Sequence, residues 1–421
     1  MMRVFPPLAL ALCLALVACD GGGSVDDNPV QPAPSTLKIG LLTSKTGSGA
    51  SLGRHVEYSA RLALKEINAA GGVNGQQVEL LVRDDKLDAD IGVQGARELA
   101  ATDAIGIIGS FSSRVSIPVA QQVTINAGMA LITSGSSPLI TTLDDRDTVW
   151  RTVASDVLQG AALADRMLSE GLRRVAVANV DDAFGQGLAN SLRNRLTARG
   201  GELLTQVAYP SGKTLGFESE AAQLTAAGVP DAILIVGFAV DAANLVRALR
   251  ERLGDRIPRL FGAGNFGTAF LDNVGTAGLG VQVVSPTAPR ASGGYQRFRA
   301  NFVREVGEEP EATAHTGYDA VYLLALALAQ ARHNSRAAVL ANLRSISRGD
   351  SPRPTEIGVG EFAKALAAIA RNEDIDYHGV GGQLDFDANG DPANGTYLIN
   401  EVVLSGNGTL GFTERVVLTF P

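Results

Sequence analysis

The feature that most constrains this chain is a repeated passage from a short apolar run, through a turn of small residues, into an amphipathic segment at helical spacing. Strands separated by helices pair in parallel, and the helices must then cover the sheet faces. The clearest instance spans residues 105–142. Ile105-Gly106-Ile107-Ile108 is stopped by Gly109; Ser110, Phe111, Ser112 and Ser113 follow, ahead of an amphipathic segment containing Pro118. Ala130-Leu131-Ile132 is the second run, and it opens into Thr133, Ser134, Gly135, Ser136 and Ser137 before Pro138. Neighbouring parallel strands would set both hydroxyl-rich turns, and the unpaired first amides of the helices after them, at one sheet edge. An anion can be held there without a buried counter-charge. A single serine in such a place is explained as a helix cap; two clusters on adjacent turns point to a site.

The same alternation runs in two series. A strand over 37–42 leads into a small-residue loop over 43–53 and a helix over 58–70 closed by Gly71-Gly72; a strand over 78–82 and a helix over 90–101 come next. The second series starts after Trp150-Arg151-Thr152. Ser155 can cap a helix over 156–170, a strand covers 174–179, and the turn Asp181-Asp182-Ala183-Phe184-Gly185 enters a helix over 186–199. Strands and helices then alternate through residue 261. From 295 to 371 the pattern is mainly helical and needs the first sheet to cover, while 382–386, 397–404 and 415–420 read as strands at the edge of the second. The expected fold is therefore α/β, with two open parallel-sheet lobes, helices on both faces of each, and several chain crossings between them. The first lobe takes 37–152 with 286–375, and the second takes 153–285 with 376–421.

Ahead of these lobes, Arg3 and an apolar run over 8–17 resemble a signal peptide, too short to span a bilayer comfortably. Leu16-Val17-Ala18-Cys19 resembles the lipobox of bacterial lipoproteins, which implies removal of 1–18 and lipidation of Cys19. Cys13 falls in the removed part, so no internal disulfide is expected. Residues 19–36 are rich in Gly, Ser, Asp, Asn and Pro and read as a tether. The alternative is an ordinary secretory signal with an incidental cysteine.

The formal charge of −8, without any basic cluster, argues against nucleic acid as a partner. Gly262 to Gly267 match G-x-G-x-x-G, but the following strand offers no acid for a ribose. Residues 385–391 imitate a calcium loop whose twelfth position is Thr396 instead of Glu, so a tight turn is the better reading. His55, His315, His333 and His378 lack metal-ligand spacing, and no G-x-S-x-G occurs. No metal, cofactor or catalytic constellation is expected, which leaves an α/β enzyme as the weaker alternative.

Several motifs in order carry a more specific likeness: Ile-Asn-Ala-Ala-Gly-Gly-Val-Asn-Gly at 67–75, Arg-Asp-Asp at 83–85, Ile-Ile-Gly at 107–109, Asp-Asp-Ala-Phe-Gly-Gln-Gly at 181–187, Gly-Tyr-Asp-Ala-Val-Tyr at 317–322 and Asp-Phe-Asp-Ala-Asn-Gly-Asp at 385–391. Over 37–403 the chain resembles the periplasmic leucine/isoleucine/valine-binding protein family, the solute-binding subunits of ABC importers. The resemblance implies a type I periplasmic binding fold, a small molecule held between the lobes, and a monomer that meets an ABC permease, here anchored outside the cytoplasm through Cys19. It implies a ligand carboxylate at Ser112 and Ser113 and at Gly135, Ser136 and Ser137. Phe184 stands where Tyr is frequent, and Phe238 falls where the family places a second aromatic wall. Where amino-acid-binding members carry an acid for the ligand ammonium, this chain has Gly264 and Asn265. Without a replacement, such as Asp156 or Asp182, a carboxylate or amide lacking an α-amino group is the expected ligand. A sensory receptor for a regulator or kinase is the other reading within the binding class.

Overall fold

The computed structural model describes residues 36–264, 266–406 and 408–420, so Cys19, the leader, nearly all of the tether and Asn265 lie outside the described residues. Strands β1 (Leu37–Thr43), β2 (Val78–Asp84), β3 (Gly106–Ile108), β4 (Ala130–Thr133) and β5 (Val149–Arg151) form one sheet in the order β2-β1-β3-β4-β5. All its pairs are parallel. The strand period of two sends successive residues to opposite faces. Ile39, Leu41, Ile108 and Ile132 enter one core cluster, and Leu42, Ile107 and Leu131 enter another.

Strands β6 (Arg174–Val180), β7 (Glu202–Tyr209), β8 (Ala232–Val236), β9 (Arg259–Ala263) and β10 (Gln282–Pro286) build the second sheet. Here Ala176, Ala178, Ile233 and Ile235 face one cluster, while Val175, Val177, Leu234 and Val236 face the other. Strands β11 (Thr355–Ile357), β12 (Ile375–Gly379) and β13 (Gly382–Gln383) make a small third sheet. The last two strands, β14 (Gly395–Leu404) and β15 (Leu410–Phe420), return to the second sheet, whose order is β15-β14-β10-β9-β8-β6-β7 with β14 antiparallel to both neighbours. The chain passes between the lobes three times: after β5, after β10 and between β13 and β14.

The helices after β10 pack as their apolar faces demand. His315–Ala331 is buried on every side from His315 to Ala329 and forms the centre of the first lobe's larger cluster, with Phe298, Phe302, Leu343 and Phe362 packed in the same cluster. A helix apolar all round has no solvent face to spare, which is why 323–329 looks like a short membrane run without being one. Among the described residues no helix is long and apolar enough to cross a membrane.

Four expectations need correction. The first helix is Ala50–Ala69 and starts well before residue 58. Gly53 belongs to the helix: a Cβ there would lie 1.8 Å from the Ser44 carbonyl oxygen, so its smallness serves close packing. Residues 382–386 do not extend the second sheet, since β13 pairs with β12. The change of lobe also falls later than residue 376, because Tyr377, Val380, Leu384 and Phe386 are buried in the first lobe's core. Finally, the segment after Ser113 is not one regular helix. Ser113–Val119 gives way to a wider turn over Ala120–Thr124, next to Pro118, which has no N–H to give the preceding turn.

Candidate functional site

The two serine turns do meet at one sheet edge, and their shapes are held by buried hydrogen bonds. Gly109, after β3, has φ +105°, and a Cβ there would lie 1.9 Å from the Leu42 carbonyl oxygen, so only glycine fits. The Ser110 carbonyl accepts from Ser116 Oγ (3.0 Å) and Thr133 Oγ1 (2.6 Å), tying the first turn to the second. Gly135 N–H donates to Thr133 Oγ1 (2.9 Å), and Ser137 N–H donates to Ser113 Oγ (3.0 Å). Beneath the second turn, fully buried Arg151 donates through Nη1 to the carbonyls of Ser136 (3.2 Å) and Ser137 (3.0 Å). Its Nε donates to Asp391 (2.5 Å), with which it forms a buried ion pair, and Nη2 donates to Thr141 Oγ1 (2.5 Å). Asp391 is the last residue of the calcium-like loop, whose Asp387 Oδ1 accepts from the Asn389 and Asp391 amides as a turn would.

A cavity between the lobes opens at these turns, with about 520 Å³ of empty space, open solvent at its mouth included. The first lobe contributes Ser112, Ser113, Ser134, Ser136, Phe111 and Thr313. Opposite them stand Phe184, Phe238, Gln159 and Gly264, with Val153 and Pro286 at the crossings. None of these side chains is ionisable. The rings of Phe184 and Phe238 lie 6.0 Å apart at 45°. Gln159 is buried, and its Nε2 already donates to the Val284 carbonyl (3.1 Å).

Of the residues expected at the site, Ser112, Ser113, Ser136, Phe184 and Phe238 line the cavity together. Gly135 and Ser137 lie outside its lining. Ser137 Oγ accepts from Leu139 N–H (3.3 Å) as a helix cap and donates across the lobes to the Ala183 carbonyl (2.7 Å). Gly264, with φ +131°, tolerates no side chain: a Cβ would sit 2.0 Å from the Gly237 carbonyl oxygen. Phe111, Ser134, Gln159 and Thr313 were not singled out by the sequence; only the hydroxyl run offered a signal for Ser134. The G-x-G-x-x-G match dissolves into packing, since a Cβ on Gly262 would strike the Phe266 ring at 2.2 Å.

The acid beside the serines is Asp156, fully buried behind Ser136, whose Oγ donates to Asp156 Oδ2 (3.0 Å). Its Oδ1 makes no hydrogen bond among the described residues. Burial pushes this carboxyl up to about 7; the Ser136 hydroxyl and the Arg151 guanidinium pull the other way, and the charge of Asp182 adds to the rise. Asp182 is occupied as the cap of Ala183–Ala198, accepting from Gly185 N–H (2.9 Å), and burial raises its carboxyl also. Arg114 Nη1 donates to Ser211 Oγ (2.7 Å), a further polar contact between the lobes.

Comparison with known proteins agrees with this architecture. The Leu/Ile/Val-binding protein homolog 1 of Brucella abortus (strain 2308) is 26% identical over 409 residues, covering 96% of this chain and 98% of that protein. The crystal structure of a leucine binding protein, LivK, from Thermotoga maritima superposes with a TM-score of 0.75 at 23% identity, covering 91% of this chain and 99% of that one. A solute binding protein of an ABC transporter from Rhodopseudomonas palustris, solved in complex with 3,4-dihydroxy benzoic acid, gives a TM-score of 0.71 at 22% identity, covering 91% and 97%. The family model described as periplasmic binding protein matches residues 36–402, and the chain belongs to that family.

Proposed function

We propose that this protein is an extracytoplasmic solute receptor, lipid-anchored to a membrane through Cys19, that holds a small carboxylate between its lobes and hands it to an ABC importer. The observation that carries the reading is the composition of the cleft: four serines of the first lobe on one side, two phenyl rings of the second on the other, and no ionisable side chain in the lining. Hydroxyls and helix-start amides suit an anion. An α-ammonium would find no acid at Gly264 and would depend on the single free oxygen of Asp156, whose carboxyl is neutral for much of the time near pH 7. The fold itself accommodates a carboxylic acid without an amino group in the Rhodopseudomonas palustris protein. Closure follows from contacts made to both lobes at once, since a ligand shifts the balance only by its preference for the closed form.

A thermal-shift panel of amino acids, aliphatic and aromatic carboxylates, and amides tests this reading. At least one simple carboxylate should raise the unfolding midpoint, as ligand binding to the native state must. Stabilisation by amines or sugars with none from any carboxylate would contradict it.

A further inference from the structure

We propose that Phe111 selects for an aromatic body on the carboxylate, so that the ligand is an aryl carboxylic acid whose ring is clasped between Phe111 of the first lobe and the Phe184–Phe238 pair of the second. The inference rests on the preceding reading of the cleft. Phe111 sits within the first serine turn, between Ser110 and Ser112, and lines the cavity beside the hydroxyls. Its inner edge is packed against the first lobe's core, and its far end is wedged: a Cβ on Gly49 would lie 2.8 Å from Phe111 Cζ and 2.9 Å from Leu87 Cδ1.

Across the cavity Phe184 and Phe238 are half-buried, 6.0 Å apart and tilted by 45°, an arrangement in which neither ring is stacked flat on the other. Phe184 lies beside the bare backbone of Gly264, where an added Cβ would come within 3.6 Å of its Cε1. The polar side chain on that wall, Gln159, spends one of its two amide hydrogens on the Val284 carbonyl. Once the serines hold the carboxylate, the rest of the ligand thus meets mainly phenyl surface. Aromatic rings gain more from such walls than the same area of aliphatic carbon, because ring quadrupoles favour offset and edge-to-face contacts. Phe111 belongs to one lobe and the pair to the other, so a ring touching all three does so only when the lobes approach. The aromatic contacts then contribute to closure as well as affinity.

Calorimetry on the full-length chain in detergent compares benzoate with cyclohexanecarboxylate, which has the same carbon skeleton and charge without the π system. Benzoate is expected to bind about tenfold more tightly, the order that one or two ring pairs supply. Phe111→Leu should bring the two acids to within about threefold of each other by weakening benzoate, and Phe238→Leu should narrow the gap from the opposite lobe. Equal binding of the two acids by the native protein, or an undiminished preference in Phe111→Leu, would overturn ring selection while leaving the carboxylate reading intact. Binding of neither acid would also overturn ring selection, and the carboxylate reading would then be decided by the wider thermal-shift panel.

Discussion

At the scale of single residues the decisive group is Asp156. Its carboxyl lies at about 7, against an ordinary value of 3.8. Between those values the native protein keeps a proton that the unfolded chain has lost, so this group's contribution to stability is present in full below about pH 4. It is lost as pH rises through about 7. Asp156→Asn should remove that slope, and urea unfolding between pH 5 and pH 8 measures it. The same residue makes carboxylate binding pH-dependent. An ionised Asp156 behind Ser136 repels a bound anion, so affinity should fall as pH rises through about 7, with no such fall in Asp156→Asn. A flat pH profile in the native protein would mean that the anion does not sit near Ser136.

The serines divide by what their oxygens already do. Ser113→Ala removes a cavity hydroxyl and the acceptor for Ser137 N–H, and should cost roughly 0.5–3 kcal/mol of ligand binding, depending on the charge carried by the ligand group. Ser137→Ala removes a helix cap and an interlobe bond, so its loss should appear mainly in thermal stability. Calorimetry and thermal unfolding on the two variants separate these outcomes.

At the scale of elements, most strands and helices were legible because β1, β3 and β4 are short, nearly continuous apolar runs, as strands buried on both faces are, and the helices between them keep a period near 3.6. What escaped was short or decided at a distance. Strand β5 has three residues and is recognisable only by its pairing with β4. Strands β11 and β12 are brought together across the helix Phe362–Ala370, and nothing local to Ile375–Gly379 marks it as first-lobe core. The two turns of the site could be read from their hydroxyls, yet Gln159 and Thr313 join the cavity only through tertiary packing. Arg151 is the same kind of case: a charge at the end of a three-residue strand became the buried support of the second serine turn. Arg151→Met would strand Asp391 without its partner and release both serine carbonyls. A loss of about 3–5 kcal/mol in denaturant unfolding is expected, together with weakened ligand binding.

At the scale of the whole molecule, two lobes joined by three crossings place one half of the site on each, so capture and closure become one event. The proposed lipid anchor belongs to this scale too: Cys19→Ser should leave the chain unacylated and released from membranes, and a variant that stays acylated would rule the anchor out. The central claim, that the cleft takes a carboxylate and has no full partner for an ammonium, is tested most directly by a matched pair. Leucine and 4-methylpentanoate differ only in the α-amino group. Isothermal titration of both at pH 6.5 should find 4-methylpentanoate bound at least about tenfold more tightly, since an ammonium left without a full counter-charge forfeits more than the roughly 1.4 kcal/mol that a factor of ten represents. Tight binding of leucine with weak binding of 4-methylpentanoate would contradict it.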